Sequence, residues 1–262
     1  MVQMLSLLIN LDENTERLQT ADAQLRAARI TYEKIPAIDG RALDTKTFSQ
    51  YNRRKALAHF GRELTGAEIG CYLSHLACFR RIIASDAEVA LIFEDDIILE
   101  PGTKSAIAEI IHGLSKIQNT QWDAVNIGSS MKPKYRTRAF GLSAHSNSVC
   151  YSHLYPLKTH ATIWHRRAVK RFINEHSDIW MPIDQFVRHV LTRRGSGFCL
   201  ERPLVVQSEI ASAIDASGHR LDLETGLHRV QKWRMRRAER FTARHYRRTF
   251  RQQSQRAAEC LS

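Results

Sequence analysis

The stretch that most constrains this chain is a short apolar run, Val89-Ala90-Leu91-Ile92-Phe93, that passes without a break into Glu94-Asp95-Asp96. A run of that length and composition reads as a strand buried on both faces. Such a strand needs helices over both sides of its sheet, and the flanking segments supply them. Ile69, Tyr72, Leu76, Phe79 and Ile83 recur at helical spacing behind a helix start at Thr65-Gly66-Ala67-Glu68, and Pro101-Gly102 precedes another helix over 104–114. Upstream, 4–9 reads as a strand, Leu18, Ala21, Leu25 and Ala28 as a helix capped by Asn14 or Thr15, and 32–38 as a strand closed by the turn pair Asp39-Gly40. Downstream, 123–127 reads as a strand ending at Gly128-Ser129-Ser130, 160–164 as a strand and 166–175 as a helix, while the polar, turn-rich stretch 132–157 predicts an active-site loop or hairpin. This alternation predicts an α/β sheet covered on both faces, with polar strand ends collected along the edge where open α/β sheets bind ligands.

Three adjacent carboxylates at a strand end repel one another, and a cation relieves that repulsion. Hard divalent ions with oxygen ligands fit, so Glu94, Asp95 and Asp96 are candidate ligands for Mn²⁺ or Mg²⁺. The competing reading leaves Glu94 and Asp95 solvated and Asp96 capping the next turn. A metal held by few carboxylates completes its shell with substrate phosphates and water, which points to nucleotide chemistry. The chain carries no Walker loop, no Gly-x-Gly-x-x-Gly, no Gly-x-Ser-x-Gly elbow and no His-Glu-x-x-His helix. Metal-assisted group transfer from a diphosphate is what remains.

Four stretches follow one another along the first hundred residues: Ile9-Asn10-Leu11-Asp12 with Glu16-Arg17, then Ile35-Pro36-Ala37-Ile38-Asp39-Gly40, then 66–75 from Gly66 to His75, and Ala90 through Asp96. In this order and spacing they resemble glycosyltransferase family 25, which includes bacterial lipooligosaccharide galactosyltransferases and collagen galactosyltransferases. Weaker echoes follow at 123–128, Thr159-His160-Ala161, Pro182-Ile183-Asp184 and 207–214. The resemblance implies a GT-A-like nucleotide-sugar-binding sheet with flanking helices, and transfer of a hexose, galactose in the reading favoured here, from a UDP-sugar donor to a glycan or glycolipid acceptor such as lipopolysaccharide, with inversion. The Glu94-Asp95-Asp96 stretch stands where GT-A enzymes carry Asp-x-Asp; because its first acid is Glu, Asp96 is the best single ligand and Glu94 falls nearer ribose or a bound water.

Such a reaction also needs a base for the acceptor hydroxyl. Asp184, a lone carboxylate after Trp180-Met181-Pro182, is the candidate, with a helix N-cap as its structural alternative; His75 is the second candidate because imidazole titrates near neutrality. Donor or substrate contacts are expected from Asn10, Asp12, Arg17, Asp39, Gly40, Glu68, Ser74, Asn126 and Gly128. The resemblance alone adds His160, Gln207 and Ser208. Glu68 and Ser74 stand about 120° apart on a helix, so helix geometry alone does not bring both to one tight site.

The formal charge of +12 is uneven: 227–262 holds 11 Arg and Lys against two Glu, so 1–226 is nearly neutral. The excess therefore belongs to a tail, and no specific nucleic-acid domain is expected. The expected organisation is a glycosyltransferase domain over 1–226 and a basic amphipathic helix over 227–262, on which Leu227, Val230, Trp233, Ala238 and Phe241 share an arc of about 140° while Met235, Tyr246 and Phe250 fall outside it. Such a stripe lies on an anionic membrane or packs on the domain, leaving solvated arginines. Scattered cysteines, odd in number, read as reduced thiols, and the first nine residues lack a basic leader. The expected location is cytoplasmic, peripheral on the inner membrane face. Two alternatives stay open: a nucleotidyl or phosphoryl transferase, and a non-catalytic membrane or nucleic-acid adaptor.

Overall fold

The computed structural model describes residues 3–117, 121–143, 145–175, 177–208 and 226–259, with side chains described to 250 in the last stretch. The first half of the chain follows the alternation expected from its apolar periodicity: β1 (Met4–Asn10), α1 (Thr15–Ala27), β2 (Glu33–Pro36), a short turn of helix α2 (Arg53–Lys55) running into a π-helical turn (Ala56–Phe60), α3 (Gly66–Ala84), β3 (Val89–Glu94), β4 (Ile97–Leu99) and α4 (Thr103–Lys116). The second half adds β5 (Ala124–Ser130), the hairpin β6 (Arg136–Leu142) and β7 (Asn147–Ser152), β8 (Ala161–His165), α5 (Arg166–Glu175), α6 (Ile183–Arg194), β9 (Gly197–Leu200), β10 (Val205–Gln207) and a long final helix, α7 (Gly226–Glu259).

Eight strands form one mixed sheet in the order β2-β1-β3-β8-β5-β9-β7-β6. β1 runs parallel to β2 and β3, and β5 parallel to β9, whereas β8 is antiparallel to both β3 and β5. Since β8 is reversed, its start lies at the same edge as the ends of β1 and β3. β4 and β10 pair separately, with Ile97 opposite Gln207.

Alternation along the strands divides the interior into two layers. Leu7, Ile9, Ala90 and Ile92 point into a core shared with α3, α5 and α6, where Phe79, Trp164 and Phe172 meet edge-on at 4.9–6.1 Å. Leu8, Leu91 and Phe93 point the other way, into a core shared with α1 and α4. Every residue from Val89 to Phe93 is buried, as a strand sandwiched between helices requires. The α/β sheet, its helices on both faces and the basic C-terminal helix agree with the sequence reading. The stretch 132–157 forms the β6–β7 hairpin at the far edge of the sheet, so its turn-rich composition marks a hairpin, and none of its described residues lines the cleft described below.

α3 begins with a full capping box: the Thr65 hydroxyl accepts from the Glu68 amide and Glu68 accepts from the Thr65 amide. Its first two turns cross the chain after β2 in backbone contact. A Cβ on Gly40 would lie 1.9 Å from the Gly66 carbonyl oxygen, and one on Gly70 would lie 2.4 Å from that of Ile38.

On α7 the face that touches the body is not the apolar stripe. His228, Glu239 and Ala243 are buried, and the seam is fixed by His228 Nδ1 to the Phe60 carbonyl (2.8 Å), Gln231 Nε2 to Ala58 (3.0 Å), Tyr246 hydroxyl to Arg193 (2.6 Å) and Phe250 against Tyr151. Leu227, Val230, Trp233 and Phe241 are exposed. The possibility that this stripe packs on the domain is therefore overturned: Tyr246 and Phe250, off the stripe, do the packing.

Candidate active site

A cleft opens where β1 and β3 end and β8 begins, closed on its other sides by the turn after β2, the first turns of α3 and α6, and β10. The run Val89–Phe93 delivers the three acids there because the strand ends at Glu94 and the chain must bend to reach β4. Each acid then meets a different partner. Glu94 Oε1 accepts from the Thr159 hydroxyl at 2.9 Å and lies 3.3 Å from His75 Nε2. Asp95 has both oxygens engaged, one by Asn10 Nδ2 at 2.7 Å and one by Arg17 at 2.7 Å. Asp96 Oδ2 receives Gln207 Nε2 at 2.6 Å and Arg17 at 3.1 Å, while its buried Oδ1 has no hydrogen-bond partner.

The electrostatics follow from that division. Burial raises the carboxyls of Asp95 and Asp96 above the usual range, aided by each acid's charged neighbours and only partly offset by Arg17, Asn10 and Gln207. Burial pushes Glu94 up too, but the hydrogen bond and charge of His75, with His160 and Thr159 behind, outweigh it and hold Glu94 below its ordinary value. The corner thus carries one firmly ionised acid and two buried acids short of positive charge.

Thirteen of the seventeen residues singled out from sequence border this cleft: Asn10, Arg17, Asp39, Gly40, Glu68, Ser74, His75, the three acids, His160, Asp184 and Gln207. Several of these are turned toward protein. Glu68 forms a buried two-pronged ion pair with Arg62 (2.6 and 2.8 Å), and Ser74 Oγ accepts from the Ile38 amide and donates to the Gly70 carbonyl, both at 2.8 Å. Asp39 pairs with Arg41, and Asp184 sits in the first turn of α6 with Oδ1 accepting from the Gln185 amide at 2.7 Å.

Four residues do not border the cleft. Asp12 is exposed and pairs with Lys34. Asn126 is buried in β5, donating to the Lys158 carbonyl and accepting from the amides of Gly128 and Ser129. Gly128 leaves room for His160, whose ring atoms would come within 2.4 Å of a Cβ there. Ser208 gives its amide to the Asp96 carbonyl at 2.7 Å, and its buried hydroxyl has no partner. The last echo of the sequence reading, 209–214, lies outside the described residues.

Sequence reasoning missed Lys158 as a site residue. It borders the cleft, is exposed, and holds a left-handed backbone (φ 68°) that disfavours any residue with a Cβ. Nothing in Leu157-Lys158-Thr159 signals that conformation; it is held from outside by Asn126.

A family model described as glycosyltransferase family 25 (LPS biosynthesis protein) matches residues 4–187, from β1 to the first turns of α6. The chain belongs to that family. Mouse procollagen galactosyltransferase 2 is 29% identical over 125 residues, 46% of this chain and 20% of that protein. Human inactive glycosyltransferase 25 family member 3 is 24% identical over 139 residues, 51% of this chain and 23% of that protein. The chain thus spans about a fifth of the length of these curated relatives. A crystal structure of a glycosyltransferase involved in glycosylation of the major capsid of PBCV-1 aligns with 84% of this chain and 99% of its own, at 12% identity and a TM-score of 0.43.

Proposed function

We propose that this family 25 chain transfers a hexosyl group, galactosyl in the first instance, from a UDP-sugar to a hydroxyl of a glycan or glycolipid acceptor such as lipopolysaccharide, with inversion. The observation that carries this reading is the gathering of Glu94, Asp95, Asp96, Arg17, His75 and Asp184 in one cleft at the edge of the sheet where α/β folds bind ligands. In the transfer the acceptor oxygen bonds to the anomeric carbon, the bond from that carbon to the diphosphate oxygen breaks, UDP departs with the bonding pair, and the acceptor proton passes to a base. Asp184 is the proposed base, with His75, already committed to Glu94, the alternative. Arg17 and the exposed Lys158 supply cationic groups for the phosphates.

The residues also fit a divalent cation, Mn²⁺ or Mg²⁺. The buried Oδ1 of Asp96 lacks a partner and the paired acids are short of positive charge. Among the described residues no three His, Cys, Asp or Glu are arranged to hold a metal alone, so substrate oxygens and water would have to complete the shell of any ion there. Asp96 would be the principal ligand and Glu94 the second, with Asp95 held by Asn10 and Arg17. A cation held there would supply positive charge to the departing diphosphate.

The test is product analysis with purified full-length chain, a panel of UDP-sugars and extracted glycolipid or oligosaccharide acceptors, with and without Mn²⁺. Acceptor-dependent release of UDP and a mass gain of one hexose support the reading. Pyrophosphate release would instead identify a nucleotidyl transferase, and no turnover with any donor would place the chain with the family's inactive members.

A further inference from the structure

α7 presents two faces. Its inner seam, His228, Gln231, Met235, Glu239, Ala243, Tyr246 and Phe250, centres roughly 150° around the helix from its outer stripe. The outer stripe leaves large apolar side chains in solvent: Leu227 is 52% exposed, Val230 48%, Trp233 58% and Phe241 74%. Docking by the inner face fixes this stripe outward, because rotating it onto the body would break the bonds from His228, Gln231 and Tyr246 to backbone carbonyls. Nine Arg and Lys lie between 226 and 250, and the only carboxylate there, Glu239, is buried in the seam beside Arg188 and His189. Arg229, Lys232, Arg236, Arg237, Arg240 and Arg244 line one groove with Trp233 and Phe241, and Arg237 stacks on the Trp233 ring at 5.2 Å.

We propose that the outer face of α7 is a docking surface for an anionic phospholipid bilayer, with Leu227, Val230, Trp233 and Phe241 entering the headgroup boundary and the flanking guanidiniums pairing with lipid phosphates. The charge selects the occupant: an apolar stripe flanked along one side by a row of cations, with no exposed acid between 226 and 250, matches an interface that is apolar below and negative above. A nucleic-acid duplex would use the arginines and leave Phe241, the most exposed of the four, without a partner. Long Arg stems also cover apolar surface while keeping their heads at the phosphate level. No helix among the described residues is long and apolar enough to cross a membrane, so the contact is with the surface of the bilayer. It is independent of the catalytic reading.

The protein carries its own probe. Trp122, Trp164 and Trp180 are buried, so Trp233 is the one tryptophan open to solvent. Full-length chain is sedimented with phosphatidylcholine vesicles with and without phosphatidylglycerol while its fluorescence is recorded. The expected result is pelleting with anionic vesicles only, a blue shift, and quenching by brominated lipid. Trp233→Ser with Phe241→Ser should weaken vesicle binding at least tenfold, and Arg229→Glu with Arg244→Glu should weaken it comparably, while circular dichroism and melting stay unchanged. Equal binding by the variants, equal binding to neutral vesicles, or binding to duplex DNA without binding to vesicles would overturn the proposal. So would self-association through this face, seen as concentration-dependent mass that the Trp233→Ser, Phe241→Ser pair abolishes, without vesicle binding.

Discussion

Asp96 and Lys158 show how unevenly single residues can be read. Asp96 was legible because a buried strand that ends in acids is a one-dimensional pattern, and the structure adds why it differs from its neighbour: Asp95 is satisfied by Asn10 and Arg17, whereas Asp96 keeps an unpaired buried oxygen. On the proposed function, Asp96→Asn should remove the Mn²⁺-dependent part of any UDP-induced thermal shift and lower turnover about a hundredfold or more, with the apo melting temperature preserved. A shift that persists in this variant would move the ion elsewhere. Lys158 is set by tertiary contact and no local signal announces it. Lys158→Gly relieves the left-handed strain and should stabilise the protein by about 1 kcal/mol, measured by denaturant unfolding, yet the KM for donor should rise because a cation at the cleft is gone. Stability gained with an unchanged KM would show that Lys158 serves the backbone alone.

At the scale of elements, periodicity found α1, α3, α4, α5 and the first three strands to within a few residues, because each buries one stripe or both faces against the same sheet. It failed where contact is made by small or polar groups. Periodicity does not report that Gly40, which borders the cleft, also joins Gly66 and Gly70 in letting two backbones touch. Gly40→Ala and Gly70→Ala should each destabilise by about 1–3 kcal/mol in chemical denaturation. The inner seam of α7 was missed for the same reason, since a helical wheel finds the most apolar face and the seam relies on His228, Gln231 and Tyr246. Within that seam burial raises Glu239 to about 7, outweighing the attraction of Arg188, Arg236 and Arg240; His189 faces it from α6. A carboxyl whose folded value is raised binds more protons folded than unfolded, so its contribution is fullest at low pH and declines as pH rises through about 7. Glu239→Gln should therefore raise the melting temperature more at about pH 8 than at about pH 5, and a pH-independent effect would contradict this.

For the molecule as a whole, the sheet order places the ends of β1 and β3 beside the start of β8, and so gathers side chains from residues 10 to 207 along one edge. The sequence pattern predicted such an edge but not β9, α6 or the antiparallel entry of β8, whose pairings are non-local and leave no periodic trace. The central claim is that this edge holds a UDP-sugar with its diphosphate at the acid corner. A crystal structure of the full-length chain with Mn²⁺ and a non-hydrolysable UDP-hexose tests it most directly. The account predicts the diphosphate within contact of Arg17, with a metal ion on Asp96. Nucleotide bound outside the cleft, or a cleft still empty at saturating donor while nucleotide binding is measured in solution, would contradict it.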